Sequence, residues 1–346
     1  MKTLAMVGGG SLGHVIKHIA VYPYLEDKFD RFIYIGGKRG PEKEYLNGKF
    51  PFYSLTDAKL DRSDFKKNLA LLKNFLSALS ESRKILKEEK PCAVFCGGGY
   101  VCLPVAIQAH AMGIPVIIHE SDKTLGLANK LCLTFCSKLL TTFKETAKNS
   151  KKTVYVGAPV REELLSGDRS LAQKKFGLDK KKKTLLIIGG SLGSKSINDC
   201  AACAYEELTK SYNVIHISGK TGDQKPVKNV VKLPFARDMA SVYAATDIAV
   251  SRCGSNTAFE LFACRIPTLF IPLPARSSRG DQIENAEYFE KKGLSKTLSE
   301  NDLSPEVLVR SVKRLEREQV RICAELEKSF SVGANEKIAK EILSLV

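Results

Sequence analysis

The stretch Leu4-Ala-Met-Val-Gly-Gly-Gly-Ser-Leu-Gly-His14 decides the fold, because a short apolar run ends there in a glycine turn. Five of these residues, Gly-Gly-Ser-Leu-Gly at Gly9–Gly13, recur at Gly189–Gly193 after the apolar run Leu185–Ile188. A buried parallel strand that passes through a glycine turn into a helix opens a nucleotide-binding α/β unit, since the backbone N–H groups and the helix dipole attract phosphate. Two such openings predict two such domains with a cleft between them.

Length and composition agree with two soluble domains. The 346 residues are 44% hydrophobic and 27% charged, and a chain of this length usually forms two domains that each bury a core. No apolar run is long enough to span a bilayer, and the amino terminus leads into a strand rather than a signal peptide. The ten cysteines, most of them inside apolar runs, favour a reducing compartment. We therefore expect a protein that stays in the cytoplasm.

The net charge of +16 is the strongest anomaly of composition, and it indicates anionic partners such as nucleic acid, anionic lipid or a phosphorylated substrate. The basic residues form runs such as Lys180–Lys183 without the interleaved aromatic residues of a nucleic-acid platform. Cys200 and Cys203 have the spacing of a redox motif, but they lie inside a predicted helix with no second Cys or His pair nearby, so we assign neither a redox nor a metal site.

Strand and helix patterns alternate along the whole chain, which predicts mostly parallel, doubly wound sheets. The domain boundary is predicted near Gly157, which gives domains 1–157 and 158–333. The last helix, 334–346, can pack on either domain, and one alternative joins it to the first. Strands are predicted at 3–7, 32–35, 93–96, 115–118, 138–141, 153–156, 184–188, 213–217, 230–233, 247–250 and 268–271.

A helical hairpin or one long helix is predicted between Phe65 and Lys90. Its apolar face would consist of Leu69, Leu72, Phe75, Leu76 and Leu79, and its basic rim of Lys66, Lys67, Lys73, Arg83, Lys84 and Lys87. An apolar stripe is more often core than membrane contact, so core packing is the first interpretation and contact with an anionic membrane the alternative.

Three groups of residues in the first half come directly after predicted strands. His14 closes the first glycine turn, where the helix dipole favours the neutral imidazole that a general base requires. Cys96-Gly-Gly-Gly-Tyr100 and His119-Glu-Ser-Asp122 follow two further strands. Because the carboxyl ends of parallel strands meet at one sheet edge, these groups are predicted to lie side by side where α/β folds bind ligands. His14 could instead only cap its helix, and Glu120 and Asp122 could do the same.

The second half carries the pattern of a nucleotide-sugar site. Ser251-Arg-Cys-Gly-Ser-Asn-Thr257 follows a strand and offers N–H and hydroxyl donors to a diphosphate, while Glu260, one turn on, can accept hydrogen bonds from a ribose diol. Asp281, Gln282 and Asn285 lie near another helix start, where the two amides can face sugar hydroxyls.

Taken together and in order, these motifs resemble the MurG family, the bacterial cell-wall N-acetylglucosaminyltransferases, over nearly the whole chain. The resemblance implies a GT-B fold, with two α/β, Rossmann-like, doubly wound domains facing across a cleft. It implies inverting transfer of N-acetylglucosamine from UDP-N-acetylglucosamine to the 4-hydroxyl of the muramoyl residue of undecaprenyl-linked lipid I. The product, lipid II, would be made for peptidoglycan synthesis by a peripheral protein at the cytoplasmic face of the cell membrane, with other cell-wall synthesis proteins as candidate partners.

The resemblance also implies roles for matching positions. The acceptor side would use Ser11, Gly13, His14, Tyr100, Glu120 and Asp122, and Leu12 belongs to the same substrate-binding turn. The donor side would use Arg161 and Ser191 near the diphosphate, with Leu192 and Gly193 in the same turn. Phe235, Ala236 and Met239 would lie near uracil, Gly254, Ser255, Asn256 and Thr257 by the phosphates, Glu260 on the ribose, and Asp281, Gln282 and Asn285 on the sugar.

Several positions depart from the commonest pattern of that family. Ser11 and Leu12 stand where Thr and Gly are frequent, Lys17 where Pro often occurs, and Ser121-Asp122 where Gln-Asn is common. Asp122 and Asp281 fit a Gram-positive-type branch.

The inverting reaction needs a base for the acceptor hydroxyl and a positive environment for the departing UDP. No Asp-x-Asp metal clamp occurs in the chain, so no metal and no cofactor are expected, and helix N-termini with Arg161 would hold the diphosphate. A nucleotide-sugar epimerase stays the alternative. A nicotinamide dehydrogenase is disfavoured, because Ile35-Gly-Gly-Lys38 supplies no acidic residue after the second strand.

Overall fold

The computed structural model of the chain describes residues 1–60, 69–190, 193–219, 225–275, 279–330 and 333–346. Strands alternate with helices through both halves. The strands are β1 (Thr3–Gly8), β2 (Arg31–Gly37), β3 (Phe52–Leu55), β4 (Ala93–Gly98), β5 (Val116–Glu120), β6 (Lys138–Thr141), β7 (Thr153–Tyr155), β8 (Lys183–Ile188), β9 (Tyr212–Ile217), β10 (Val230–Leu233), β11 (Ile248–Ser251), β12 (Thr268–Phe270) and β13 (Lys296–Thr297).

Most helices are short amphipathic segments that cover these strands. They are α1 (Leu12–Val21), α2 (Glu42–Leu46), α3 (Leu71–Glu89), α4 (Cys102–Ala111), α5 (Leu127–Cys132), α6 (Arg169–Phe176), α7 (Lys195–Ser211), α8 (Met239–Ala245), α9 (Ser255–Ala263), α10 (Asp281–Lys291), α11 (Pro305–Ser329) and α12 (Ala334–Leu343). Among the described residues no helix is long and apolar enough to cross a membrane.

The first unit comprises Met1–Pro159 and Gly333–Val346. Its seven strands form one sheet in the order β3-β2-β1-β4-β5-β6-β7, and every neighbouring pair is parallel. Strands β1, β4 and β5 are buried along their whole length, as expected for strands covered on both faces. Because these three strands are neighbours, the turns that follow them meet at one edge of the sheet.

The second unit spans Val160–Val332. Its sheet has six strands in the order β10-β9-β8-β11-β12-β13, again with parallel pairing throughout. The turns after β8, β11 and β12 therefore also share one carboxyl edge. The predicted fold class, two Rossmann-like α/β domains with parallel sheets, is confirmed.

The carboxyl-terminal helix α12 belongs to the core of the first unit. Ile338 and Ile342 are fully buried in an apolar cluster with Leu4, Ile117 and Leu140. A salt bridge of 2.5 Å between Lys138 Nζ and Glu341 Oε2 also joins the helix to β6. The last segment of the chain thus packs on the first sheet although 176 residues, 158–333, separate it from the predicted end of that domain at Gly157.

All eleven predicted strands are present, and two strands were missed. Strand β3 is half-buried and β13 has only two residues, so neither carries a continuous apolar run. Helix α3 begins at Leu71, and the first residues of the predicted helical segment, from Phe65 to Lys67, lie outside the described residues. The interpretation of its stripe as core is wrong at three positions, since Leu69, Leu72 and Leu76 are 88%, 70% and 57% exposed.

Candidate active site

In the first unit the three predicted turns lie side by side. Strand β4 pairs with both β1 and β5, and the Gly9 N–H donates to the Gly98 carbonyl at 3.3 Å across the edge. The first glycine turn, the Gly97–Tyr100 turn and the His119–Asp122 segment are therefore one continuous edge. The spatial association that the sequence predicts for them is present.

His14 lies in the first turn of α1 and is held by the glycine turn itself. Its Nδ1 atom is 2.8 Å from the Gly9 carbonyl oxygen and 3.2 Å from Ser11 Oγ. A carbonyl can only accept, so the neutral ring carries its proton on Nδ1 and leaves Nε2 as the basic nitrogen. This is the tautomer that a general base requires.

Two glycines of the β4 turn make room for this imidazole. Gly98 and Gly99 have φ of +114° and +91°, a region that side chains other than glycine rarely adopt. A Cβ at Gly98 would approach His14 Cδ2 to 2.8 Å, and one at Gly99 would lie 2.1 Å from the Gly9 carbonyl oxygen. The glycines therefore set the position of His14 as well as the course of the turn.

Two acidic residues at the same edge were not found from the sequence. Glu42, the first residue of α2, is fully buried and accepts a hydrogen bond from the Gly10 N–H; burial raises its pKa. Asp57 accepts from the Tyr100 hydroxyl at 2.6 Å, and burial together with this carboxylate raises the pKa of Tyr100. Glu42 follows a strand ending in two glycines, the same signal that marked the other turns.

The carboxylate of Glu120 holds the loop that follows β5. It accepts from the Asp122 and Gly126 N–H groups at 3.1 and 2.8 Å and from Asn129 Nδ2 at 2.9 Å. A buried carboxylate that satisfies several donors is mainly a structural clamp. Asp122, in contrast, is half-buried beyond the end of the strand. Of the two predicted carboxylates, Asp122 has the geometry better suited to contact an acceptor.

In the second unit, Arg252 joins the turns of three strands, a role that the sequence did not predict. Its guanidinium donates to Ser194 Oγ at 2.7 Å and Ser196 Oγ at 3.0 Å, and to the Ile271 and Pro272 carbonyls at 3.0 and 3.1 Å. It also pairs with Glu300. The position directly after a strand was visible in the sequence, but these partners were not.

Arg161 and Glu260, predicted to contact the diphosphate and the ribose, are paired with each other. Glu260 Oε1 accepts from Arg161 Nε and Nη2, both at 3.0 Å, and Glu260 Oε2 accepts from the Tyr243 hydroxyl at 3.2 Å. Both side chains are buried. Burial raises the pKa of Glu260, and Arg161 opposes that shift.

The other predicted donor residues lie at the carboxyl edge of the second sheet. Gly254 precedes α9 as an N-cap without a side chain, so Ser255, Asn256 and Thr257 form the first turn of that helix. Phe235, followed by Ala236, is exposed just beyond β10, and Met239 begins α8. Of the second glycine turn, Gly193 is described, whereas Ser191 and Leu192 lie outside the described residues.

The three predicted sugar contacts on α10 differ in burial and in the partners that their side chains already have. Asp281 pairs with Arg279, with 3.6 Å between Oδ1 and Nε, and Gln282 Oε1 accepts from the Leu273 N–H at 3.0 Å. Asn285 is fully buried, so contact between its amide and a sugar needs a local rearrangement. In the described part of the chain no group of three or more His, Cys, Asp or Glu side chains is arranged to hold a metal ion.

Comparison with known proteins agrees with this architecture. Residues 4–141 match the glycosyltransferase family 28 N-terminal domain and residues 184–342 the glycosyltransferase family 28 C-terminal domain. The chain is 41% identical over 321 residues to a protein of Clostridium perfringens, covering 91% of this chain and 90% of that one. That relative is named UDP-N-acetylglucosamine–N-acetylmuramyl-(pentapeptide) pyrophosphoryl-undecaprenol N-acetylglucosamine transferase.

Two solved structures show how widely the fold is shared. MurG of Acinetobacter baumannii superposes with a TM-score of 0.76 at 25% identity, covering 99% of this chain and all of that one. A UDP-GlcNAc 2-epimerase of Neisseria meningitidis superposes with a TM-score of 0.70 at 16% identity, covering 99% of this chain and 100% of that one. At that identity the likeness shows the fold alone.

Two Rossmann-like domains that match both family 28 domains define a glycosyltransferase of the GT-B fold. The long match at 41% identity is more specific than the fold. The chain belongs to the MurG family, and the resemblance drawn from its motifs is confirmed.

Proposed function

We propose that this chain transfers N-acetylglucosamine from UDP-N-acetylglucosamine to the 4-hydroxyl of the muramoyl residue of lipid I, with inversion, to form lipid II. The observation that carries the proposal is 41% identity over 91% of the chain to a transferase whose name specifies this donor and an undecaprenyl-linked muramyl acceptor. The edge of the first sheet adds a chemical reason, because His14 is held there as a base.

On the acceptor side, His14 Nε2 takes the proton of the attacking hydroxyl. The hydrogen bond from Nδ1 to the Gly9 carbonyl fixes the tautomer and supports the positive charge that develops on the ring. Ser11, Leu12, Gly13 and Tyr100 shape the surface around it, and Asp122 is the competing candidate for the base. Glu120 contributes by holding the loop that carries Asp122.

On the donor side, the N-terminus of α9 receives the diphosphate. Gly254, Ser255, Asn256 and Thr257 present the first-turn N–H groups and hydroxyls of that helix, which favour an anion through the helix dipole. Ser191, Leu192 and Gly193 of the second glycine turn are assigned to the same phosphates. Phe235, Ala236 and Met239 are assigned to uracil, for which an exposed aromatic ring at the sheet edge is suited.

The pairing of Arg161 with Glu260 changes how the donor site is expected to work. The Arg161 charge is already balanced by the buried carboxylate of Glu260, so Arg161 does not offer an uncompensated positive charge to the diphosphate. We assign to the pair the task of fixing Glu260 for the ribose hydroxyls, with Arg161 near the phosphates. Asp281, Gln282 and Asn285 remain the proposed sugar contacts.

The membrane contact is assigned to the first turns of α3 and to Leu69 just before that helix. Leu69, Leu72 and Leu76 are exposed at helical spacing, and Lys73 among them is exposed as well. Exposed apolar side chains beside basic ones are typical of a helix that lies in the interface of an anionic bilayer. We propose that this face binds the cytoplasmic leaflet, where the lipid-linked acceptor is located.

The transfer is tested with UDP-N-acetylglucosamine and a lipid I analogue, with UDP release and lipid product measured together. We expect UDP release only when the acceptor is present, with lipid II analogue formed in equal amount. If UDP were released without acceptor and the sugar product were an epimer of N-acetylglucosamine, the chain would be an epimerase and the proposal would be rejected.

The membrane contact is tested by flotation with phosphatidylglycerol vesicles and with phosphatidylcholine vesicles. Leu72→Ser combined with Leu76→Ser should weaken binding to the anionic vesicles and leave the thermal midpoint nearly unchanged, because both side chains are exposed. Leu171→Ser is the matched control, since Leu171 is an exposed leucine on α6 of the other unit. Unchanged vesicle binding in the double variant, or equal loss in the control, would argue against this face.

A further inference from the structure

A lysine is buried beneath the acceptor edge. Lys17 lies on α1, one turn after His14, and is only 2% exposed. Its ammonium makes one hydrogen bond among the described residues, from Nζ to Ser121 Oγ at 2.6 Å. A buried ammonium is costly unless it is paired, so the fold maintains this side chain at an energetic cost.

The groups around Lys17 come from several elements. Burial lowers the pKa of Lys17, and Glu120 at the end of β5, Asp122 in the loop after it and Cys102 on α4 oppose that shift. Burial is the main cause of the lowered pKa values of His18 and His119, and the nearby charge of Lys17 lowers both further. Two of the three attractive groups are thus carboxylates of the acceptor segment.

The second unit has an apolar residue at the matching position of the sequence. Counted from the repeated pentapeptide, Lys17 corresponds to Ile197 on α7, and Ile197 is fully buried. The repeated motif therefore does not by itself call for a lysine eight residues after its first glycine. The charge of Lys17 needs a reason in the first unit.

We propose that Lys17 is a positioning residue for the transfer reaction: its ammonium joins the helix that carries His14 to the loop that carries Asp122 and holds these groups together at the acceptor edge. The bond spans 104 positions of sequence, and Ser121 stands between Glu120 and Asp122. This inference rests on the proposed function, because it concerns the acceptor of that reaction.

The test compares Lys17→Met, Ser121→Ala and the double variant in the full-length chain, with UDP-N-acetylglucosamine and a soluble lipid I analogue. Lys17→Met keeps the length of the side chain but removes its charge and its donors. We expect it to lower kcat/KM for the acceptor roughly tenfold to a hundredfold. UDP affinity by calorimetry should change by less than about twofold, since the candidate UDP contacts lie in the other unit.

Two further readouts separate positioning from general destabilisation. Lys17→Met removes a positive charge beneath the acceptor edge, which makes protonation of the catalytic base easier, so the acid limb of the kcat profile should move to higher pH. Ser121→Ala should have a smaller effect in the same direction, and the double variant should be no worse than Lys17→Met because the bond is already lost. Val21→Ala, at a buried position of the same helix, should lower the thermal midpoint without moving the acid limb.

The inference would be overturned if Lys17→Met kept the kcat and the acceptor KM of the parent. It would also be overturned if Val21→Ala, at an equal loss of stability, showed the same changes in kcat, acceptor KM and acid limb as Lys17→Met. If Lys17→Met does not fold, Ser121→Ala decides: parental acceptor kinetics in that variant reject the positioning role. Failure of the proposed function looks different, because the unmodified chain would then form no lipid II analogue.

Discussion

In the first copy of Gly-Gly-Ser-Leu-Gly the helix begins inside the pentapeptide, at Leu12, whereas after the second copy it begins only at Lys195. Gly10 and Gly190 have nearly the same φ, +89° and +87°, but Gly193 has a φ of +81° and Gly13 lies within a helix. Identical residues thus form different turns. The difference must come from side chains outside the pentapeptide.

Those outside partners can be named in each unit. In the first turn, Glu42 accepts the Gly10 N–H and the His14 ring donates to the Gly9 carbonyl. In the second turn, the Ser194 hydroxyl accepts from the Ile197 N–H and from the Arg252 guanidinium. Ser194 thereby caps α7, which begins three positions later, counted from the pentapeptide, than α1 does. The first turn is organised around an imidazole and the second around a hydroxyl cap.

The positions that follow the pentapeptide diverge in the same way. His14, Lys17 and His18 of α1 correspond in sequence to Ser194, Ile197 and Asn198. One helix therefore places ionisable groups where the other has a cap, an apolar residue and an amide. Variants at these matched positions can break or sharpen the contrast.

The largest effect is expected for His14→Ala. Removing a positioned base typically lowers kcat by about a hundredfold to ten-thousandfold, while UDP affinity should stay at the parental value. Steady-state kinetics with a lipid I analogue and calorimetry with UDP measure the two quantities. If His14→Ala keeps kcat within a few-fold while Asp122→Asn or Glu120→Gln is inactive, the base is a carboxylate and our assignment is wrong.

The next effect is expected for Gly99→Ala. Its Cβ would lie 2.1 Å from the Gly9 carbonyl oxygen and 3.0 Å from His14 Nδ1, so the backbone and the imidazole must both move. We expect the free energy of unfolding to fall by about 3 kcal/mol, with loss of turnover. Gly190→Ala is the control: within the described part of the chain nothing lies within 4 Å of its Cβ, and backbone strain alone costs about 1–2 kcal/mol. Equal losses in urea unfolding would contradict this difference between the turns.

A smaller effect, dependent on pH, is expected for His18→Asn, which introduces the residue of the corresponding α7 position. Burial lowers the pKa of His18 to about 3 in the folded chain from 6.5. The unfolded chain therefore binds the proton more tightly, so stability is complete above about pH 6.5 and is lost as the pH falls toward 3. At pH 4.5 this loss amounts to about 2 kcal/mol relative to pH 7.

Urea unfolding at pH 7 and pH 4.5 measures that loss in the parent and in His18→Asn. The variant should lose less stability between the two pH values. Val21→Ala, which changes no ionisable group, should lose as much as the parent. An equal acid loss in His18→Asn and the parent would show that other groups carry the effect.

The smallest effect is expected for Ser194→Ala, at the position that matches His14. Loss of a helix N-cap costs about 1 kcal/mol of stability, and kcat should remain within a few-fold of the parent. Thermal unfolding and the transferase assay together check this expectation. A loss of turnover as large as that of His14→Ala, at unchanged stability, would mean that Ser194 has a catalytic role and does not only cap α7.

The motifs placed most of the candidate site at the correct sheet edges, because a strand followed by glycine and a helix start is a local pattern. Glu42 and Arg252 show which contacts a local pattern cannot predict. Each follows a strand, but the importance of each lies in partners from other turns, Gly10 for Glu42 and the Ser194 hydroxyl for Arg252. The exposure of Leu72 contradicts the first interpretation, core packing, and agrees with the alternative that was kept open. The sequence could not decide between them, since an apolar stripe looks the same whether a neighbour covers it or not.

The sequence by itself determined the order of strands and helices, the two parallel sheets and the family, because periodicity, glycine turns and their spacing are properties of neighbouring residues. Only the tertiary structure decided that Arg161 pairs with Glu260 and that Lys17 reaches Ser121. These partners are 99 and 104 positions apart, and they meet because the fold brings separate loops and helices together at the ends of the strands. That arrangement is set by the packing of the whole core, to which no local pattern corresponds.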